Sequence, residues 1–323
     1  MRSRSIGRGL AVLGALMWAS AAPAQSDFPN HTIKIVVPTP PGASLDTLPR
    51  LIANRLSQRW NVPVIIENMP GAAQNLGSEA VARSEPDGYT ILASPPGPLV
   101  ISQYIYTKLG FDPEALVPVS TFASQPTVLV ASTAAPFSTL QEMIAYAKAN
   151  PGKINYASPG VGSSLQMETA MLAANANLDI VHVPYKGIAP AEADLLAGHV
   201  DMMIDPLGNV FQYIKDGKFR ALGVTSQSPI AELPGVPTIA QLYPDFVFTE
   251  FFAFAAPPKT PSAIVDKLSE GIRETVRLPD VAQRFRDLAI TPVGSSPSEM
   301  AALLKQERAR WQKIATQLGI KMD

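Results

Sequence analysis

Short apolar runs alternate with amphipathic stretches along most of the chain, and this alternation restricts the fold more than any other feature. IKIVVP from Ile33, VPVIIEN from Val62, YTILAS from Tyr89, TVLVAS from Thr127, INYAS from Ile154, DIVHVPY from Asp179, VDMMID from Val200, FRALGVTS from Phe219 and FVFTEFFAFAAP from Phe246 read as strands. Helical patterns separate most of them, which predicts βα units and largely parallel sheets rather than a sandwich. From Pro261 to Gly319 only helical patterns occur, with no strand of their own. Those helices must pack on a sheet built earlier, so the C-terminus returns to the N-terminal lobe and leaves the middle as a second one. The expected division is 27–122 with 225–323 as lobe 1 and 123–224 as lobe 2.

The first residues are set aside from this reasoning. MRSRSIGR is basic, GLAVLGALMWASA is apolar, and Ala22-Pro23-Ala24 fits an A-x-A cleavage site, so residues 1–24 are expected to be a cleaved signal peptide that exports the chain to the periplasm. The apolar run falls short of the roughly 18 residues that would span a bilayer. Cysteine is absent, which excludes disulfides, thiol chemistry and a lipid-attachment cysteine. Loss of Arg2, Arg4 and Arg8 with the leader takes the basic side chains from 26 to 23 against 27 acidic, a net charge of −4. A mildly acidic chain without a basic cluster carries no footprint for nucleic acid. An anionic ligand would have to be held by local groups.

Helix starts are marked by short motifs. Thr139 to Glu142 and Ser296 to Glu299 fit the capping box, and Thr260-Pro261 has a cap followed by an N1 proline. Proline, at 31 residues, is near twice its usual share of about 5%. Within regular strand and helix patterns, that richness reads as rigid turns.

Two turns carry the chemistry. PTPPGASLD, residues 38 to 46, joins a strand to a helix, and SPGVGSS, residues 158 to 164, does the same with Ser163 to Gln166 as a capping box. Each presents the free N–H groups of a helix N-terminus at the carboxyl end of a strand, where unpaired donors and the helix dipole attract anions. Pro49 argues that the first helix starts close to Asp46, which makes Asp46 a cap or first-turn residue rather than a ligand contact. Ordinary βα turns would look similar, but the pairing of two such turns in different lobes favours an anion clamp.

The runs IKIVVPTPPGASLDTLPRLIANRLS, VPVIIENMPGAAQNLGSEAVARSEPDGYTIL, AKANPGKINYASPGVGSS, HVPYKGIAPAEADLLAGHVDMMID, FRALGVTS and LPGVPTIAQ, taken in order, resemble the Bug receptors. These are the periplasmic solute-binding proteins of tripartite tricarboxylate transporter systems. The resemblance covers essentially all of the chain after the leader. It implies an α/β, two-lobed periplasmic binding protein fold of type II, or Venus-flytrap, kind, with parallel-rich sheets and a hinge. It also implies no enzymatic activity and no cofactor. The implied ligand is a small organic acid, whether a di- or tricarboxylate, an aromatic acid or an amino acid. The implied partners are integral membrane permease subunits, with the receptor itself a monomer.

By the same resemblance, the ligand carboxylate would be gripped through backbone N–H groups and ordered water at loop positions Pro41, Ala43 and Ser44 in one lobe and Gly160, Val161, Gly162, Ser163 and Ser164 in the other. Asn75, Ser94, Tyr185 and Lys186 lie on nearby loops. Three departures bear on the ligand: Ala43 stands where the family usually has a second glycine and GAAQN where its turn is richer in glycine, Pro49 replaces alanine, and Gln166 stands where histidine is frequent. Asp205 has two readings, a partner for a ligand amine or, with Pro206, a cap and N1 proline for the helix beginning at Leu207.

Enzymatic constellations are missing. His31, His182 and His199 form no i, i+4 metal pair, and the sequence holds no G-x-S-x-G, S-x-x-K, P-loop or complete dinucleotide fingerprint. Phe251, Phe252 and Phe254 could line a pocket for a ring, although aromatic residues in a strand more often build core. The competing reading is a binding protein that presents its closed form to a membrane signalling partner instead of a transporter.

Overall fold

The computed structural model describes residues 28–322. The expected leader and its cleavage site lie outside them. In chain order the main elements are β1 (Ile33–Val37), α1 (Ser44–Trp60), β2 (Val64–Asn68), α2 (Asn75–Ala82), β3 (Thr90–Ser94), α3 (Ser102–Ile105), β4 (Val117–Ser132), α4 (Leu140–Ala149), β5 (Asn155–Ser158), α5 (Ser164–Ala176), β6 (Val181–Pro184), α6 (Ile188–Ala197), β7 (Met202–Pro206), α7 (Leu207–Lys215), β8 (Phe219–Val224), β9 (Thr249–Ala256), α8 (Ser262–Arg277), α9 (Pro279–Asp287), β10 (Thr291–Pro292) and α10 (Pro297–Leu318).

The strands run in the order β2-β1-β3-β9-β4-β7-β5-β6, with β8 and β10 also pairing with β4. At one end β1 pairs in parallel with β2 and β3, and at the other β5 pairs in parallel with β6 and β7. Between these groups, β4 joins two lobes. Its first half, Val117 to Pro126, lies antiparallel to β9, and its second, Thr127 to Ser132, lies antiparallel to β7 and β8. A second connection runs beside it: Thr225 N–H donates to Thr127 O and Phe248 N–H to Thr225 O, each at 3.0 Å. The fold is thus a two-lobed, mixed α/β sheet architecture with parallel-rich ends.

Period-2 alternation divides the sheet residues between two layers of core, as a sheet covered on both faces requires. Ile33, Ile35 and Val37 of β1 and Phe252 and Phe254 of β9 share one core with α1 and with Leu268, Ile272 and Phe285 of α8 and α9. Val36, Phe251 and Ala253 face the other, which α10 closes with Leu304, Trp311 and Ile314. The C-terminal helices therefore return to the sheet begun by β1. A third core, with Val128, Val130, Leu195 and Val210, holds α6 and α7 to the second half of β4.

Several local expectations need correction. The region from Pro261 to Gly319 contains β10, two residues paired with Ser124 and Ala123 and too short to leave a period. Helix α1 begins at Ser44, two residues before Asp46, so Pro49 lies inside it and cannot donate to Leu45 O. Thr260 is not a cap, because its hydroxyl donates to Pro257 O and Pro261 occupies the cap position of α8. Ser296 and Glu299 make the full reciprocal capping box, whereas Thr139 and Ser163 accept from Glu142 and Gln166 N–H without it.

Candidate functional site

Four loops at the carboxyl ends of β1, β2, β5 and β6 meet in a closed cleft. The β1 loop turns through Gly42 at φ 118° and enters α1 with no side chain on its cap. Asp46, in the first turn, accepts from Gly42 N–H at 3.1 Å and from Arg50 and Asn68. Burial works to raise its pKa, but those hydrogen bonds outweigh it and hold the carboxyl below its ordinary value. Asp46 therefore stiffens the loop from behind. The Ser44 N–H, which has no partner within the helix, donates to Asn209 Oδ1 of α7 at 2.9 Å, and Asn209 Nδ2 donates to Asp205 Oδ1 at 2.8 Å.

The β5 loop mirrors this arrangement. Gly160 and Gly162 have φ of 138° and 85°, and Ser163 caps α5. Gly162 N–H donates to Gln166 Oε1 at 3.2 Å, so here too an amide oxygen sits on a helix N-terminus. Val161 O accepts from Tyr106 Oη at 2.8 Å, tying this loop to the segment after α3. A Cβ at Gly162 would overlap Ile105 Cδ1, and one at Gly160 would lie 3.3 Å from Ala73 Cβ. Both glycines are needed for close approach as well as for φ.

In the β2 loop Ala72, Ala73 and Gln74 have φ of 48°, 47° and 77°. A left-handed conformation costs an L-residue roughly 1 kcal/mol or more, which explains why a glycine-rich turn is the expected composition there. The Ala73 methyl instead fills space against Gly160. In the β6 loop a Cβ on Gly187 would come within 2.6 Å of Pro40 Cδ, so the first and fourth loops also touch. The space left among them is a cavity of about 60 Å³ lined by Pro40, Ala72, Ala73, Pro159, Tyr185 and Lys186, among others. A larger one, about 420 Å³, lies at the start of α1 against α6, α7 and α9, with Ala43, Ser44, Glu192, Asn209, Tyr213 and Arg284 in its lining.

The expected site residues divide accordingly. Ala43 and Ser44 line the larger cavity, whereas Gly160, Val161, Gly162 and Ser163 line neither cavity; Gly160 lies against Ala73, and Val161 and Gly162 lie against Tyr106 and Ile105. Pro41 is exposed at the tip of its turn. Ser164 Oγ donates to Glu250 Oε1, and Ser94 Oγ to Pro95 O, so both hydroxyls are engaged inside the protein. Asn75 Oδ1 accepts from Ser102 Oγ while its Nδ2 is buried without a partner. Tyr185 and Lys186 line the small cavity, but the Tyr185 hydroxyl donates to Asp194 Oδ2 at 2.6 Å. Asp205 does not cap α7: Pro206 holds the cap position, and Asp205 is fully buried with Oδ2 unpartnered. Sequence reasoning missed Asn209, Glu192, Tyr213 and Arg284. Only Asn209 left a signal, its i+4 spacing from Asp205.

The cleft has an unusual set of acids beneath it. Burial raises Glu168 to about 8 and Glu192 to about 7. Asp205 is raised well above its ordinary value by burial and then by Glu192, and Glu250 by burial and then by Glu168. Desolvation thus favours the neutral form of each of these carboxyls, which weakens their repulsion of an anion. Thr127 Oγ1 meets Glu168 Oε2 at 2.6 Å on the strand that joins the lobes. His182 is pushed down to about 4 by burial and is stacked on Tyr156, a neutral packing group. No cluster of three or more metal-ligating side chains occurs among the described residues.

Comparison with known proteins finds a matching family and similar solved structures. Residues 48–320 match the family described as tripartite tricarboxylate transporter family receptor. Among solved structures, an R. palustris protein in complex with adipate is 31% identical with a TM-score of 0.87, covering 91% of this chain and 99% of its own. The periplasmic binding protein BugD is 29% identical with a TM-score of 0.87, covering 92% and 100%. MatC of Rhodopseudomonas palustris, with bound malate, is 30% identical with a TM-score of 0.85, covering 89% and 99%.

Proposed function

The chain belongs to the tripartite tricarboxylate transporter family of receptors, and from that premise we propose that it closes its two lobes on a small organic carboxylate and delivers it to the membrane subunits of such a transporter. The observation that carries this reading is the pair of helix N-termini. Ser44 N–H and Gly162 N–H, on loops of different lobes, each hold an uncharged amide oxygen, from Asn209 and Gln166. A carboxylate oxygen is the same acceptor with charge added. Replacing the amide oxygen strengthens the hydrogen bond and gains roughly 0.3–1 kcal/mol from the helix dipole at each end. The raised pKa values of the acids below the cleft lessen the repulsion such a ligand would otherwise meet.

The relatives solved with adipate and malate hold acids of this class, which supports the same ligand chemistry here. The two lobes, 27–122 with 225–323 and 123–224, rotate against each other about the connections that run between them. Residues 1–24 act as the leader that sends the chain to the periplasm. Ligand affinity present only in the closed form shifts the population toward it. A thermal-shift screen of the chain from Gln25 against organic acids and their primary amides tests the ligand class. Acids raise the melting temperature and the matching amides do not; equal shifts from acid and amide contradict it.

A further inference from the structure

A third cavity, of about 500 Å³, shares no lining residue with the two at the cleft. It is bounded by β4 and β9 on one side and by α8, α10 and the segment after β10 on the others. Thr121 is 3% exposed, and its Oγ1 is buried without a hydrogen-bond partner. Arg273 Nε is likewise buried and unpartnered, and neither Arg273 nor Arg277, one turn further along α8, forms an ion pair among the described residues. Phe251, Leu303 and Val293 supply an apolar wall.

The charges facing this space can be counted. Glu299 accepts from Ser296 N–H and Oγ at 2.7 and 2.8 Å, and those bonds, with the nearby Arg273 and Arg277, hold it ionised. It offsets one guanidinium. Glu307 has Arg310 as its own partner at 4.0 Å. One cation is left without a counterion, next to an orphaned hydroxyl and an orphaned guanidinium nitrogen that burial makes costly to leave unpaired. A site of this size with convergent polar groups and an apolar wall has the make-up of a small-molecule pocket.

We propose that this cavity is a second ligand site, separate from the cleft, that takes a small organic monoanion. The carboxylate is received by Arg273 and Thr121 Oγ1, with Arg277 at the mouth, and an apolar body lies on Phe251, Leu303 and Val293. The charge count selects a monoanion over a dianion.

The test is a titration with 4-fluorobenzoate, and with 4-fluorobenzamide as its uncharged counterpart, followed by fluorine NMR. Wild type, Arg273→Gln/Arg277→Gln, Thr121→Val and the cleft variant Asn209→Trp are compared, with thermal unfolding as a folding check. Expected is saturable binding of the acid that persists in Asn209→Trp, weakens at least about tenfold in the arginine double variant and measurably in Thr121→Val, and is absent for the amide. Thr121→Val deletes a single hydroxyl and reads the site should the double variant fail to fold. No saturable binding to about 10 mM, unchanged affinity in the arginine and Thr121 variants, or loss in Asn209→Trp would each overturn the proposal.

Discussion

Gly162→Ala separates the two demands that closure makes on the β5 loop. The residue has φ 85°, so a methyl group there costs roughly 1–2 kcal/mol in local conformation whether the cleft is open or shut. The second cost arises only on closure, because the new Cβ overlaps Ile105 Cδ1, which is fully buried and belongs to the opposing loop region. Reaching ordinary van der Waals distance requires a displacement of about 1 Å, an overpacking of roughly 1–3 kcal/mol. That corresponds to about a 5- to 150-fold loss of ligand affinity. The assay is calorimetric titration with the acid that gives the largest thermal shift, beside unfolding of the ligand-free variant. Ile105→Val removes Cδ1 alone, so the double variant Gly162→Ala/Ile105→Val should recover most of the lost affinity while keeping the lowered melting temperature. If Gly162→Ala binds as tightly as wild type, or the double variant recovers nothing, the loops do not meet in the bound form and the reasoning fails.

Tyr106→Phe removes the hydroxyl that reaches Val161 O and leaves that carbonyl unpaired; affinity should fall roughly two- to tenfold by titration calorimetry, and an unchanged value would mean the contact is absent from the bound state. Ala73→Gly relieves left-handed strain at φ 47° but loosens the unfolded chain, so urea unfolding should show a net stabilisation of about 0.5 kcal/mol; a destabilisation of 1 kcal/mol or more would show that the methyl contact with Gly160 dominates. Stability should also depend on pH in two opposite windows. Glu168 has its pKa raised from 4.5 to about 8, so the folded state binds the extra proton and this contribution is lost as pH rises toward 8. His182 has its pKa lowered from 6.5 to about 4, so its contribution is lost as pH falls from 6.5 toward 4. Above pH 6.5 only carboxyl effects remain, shared by Glu168 with Glu192, Asp205 and Glu250, so Glu168→Gln should reduce but not abolish the decline between 6.5 and 8 measured by thermal unfolding; an equal slope in both proteins would remove Glu168 as a source.

What was legible in the sequence was local. The alternation of IKIVV, YTILAS and their following helices specifies βα units because each period lies within a few residues, and Ser163 and Ser296 announce their helices through contacts three residues away. The first half of β4 was not legible: Pro118 and Pro126 lower its strand signal, and Ser120, Thr121 and Gln125 look exposed although a sheet partner and α10 bury them. The two turns of the clamp could be recognised from their glycines and caps, but what closes them could not. Asn209 meets Ser44 across 165 positions, and Arg284 reaches the same cavity from another helix. Asp205-Pro206 has the composition of a helix start, yet burial opposite Glu192 turned the aspartate inward and left the cap position to proline.

The central claim is that one ligand carboxylate is held by backbone N–H groups at the starts of both α1 and α5. Amide NMR of the isotopically labelled chain, titrated with the best acid from the screen, addresses those groups one by one. The account predicts that the largest shifts fall on Ala43, Ser44 and Leu45 and on Val161 through Leu165, saturating together at a single affinity. Shifts confined to one of these loops, or centred elsewhere while both stay fixed, would contradict it.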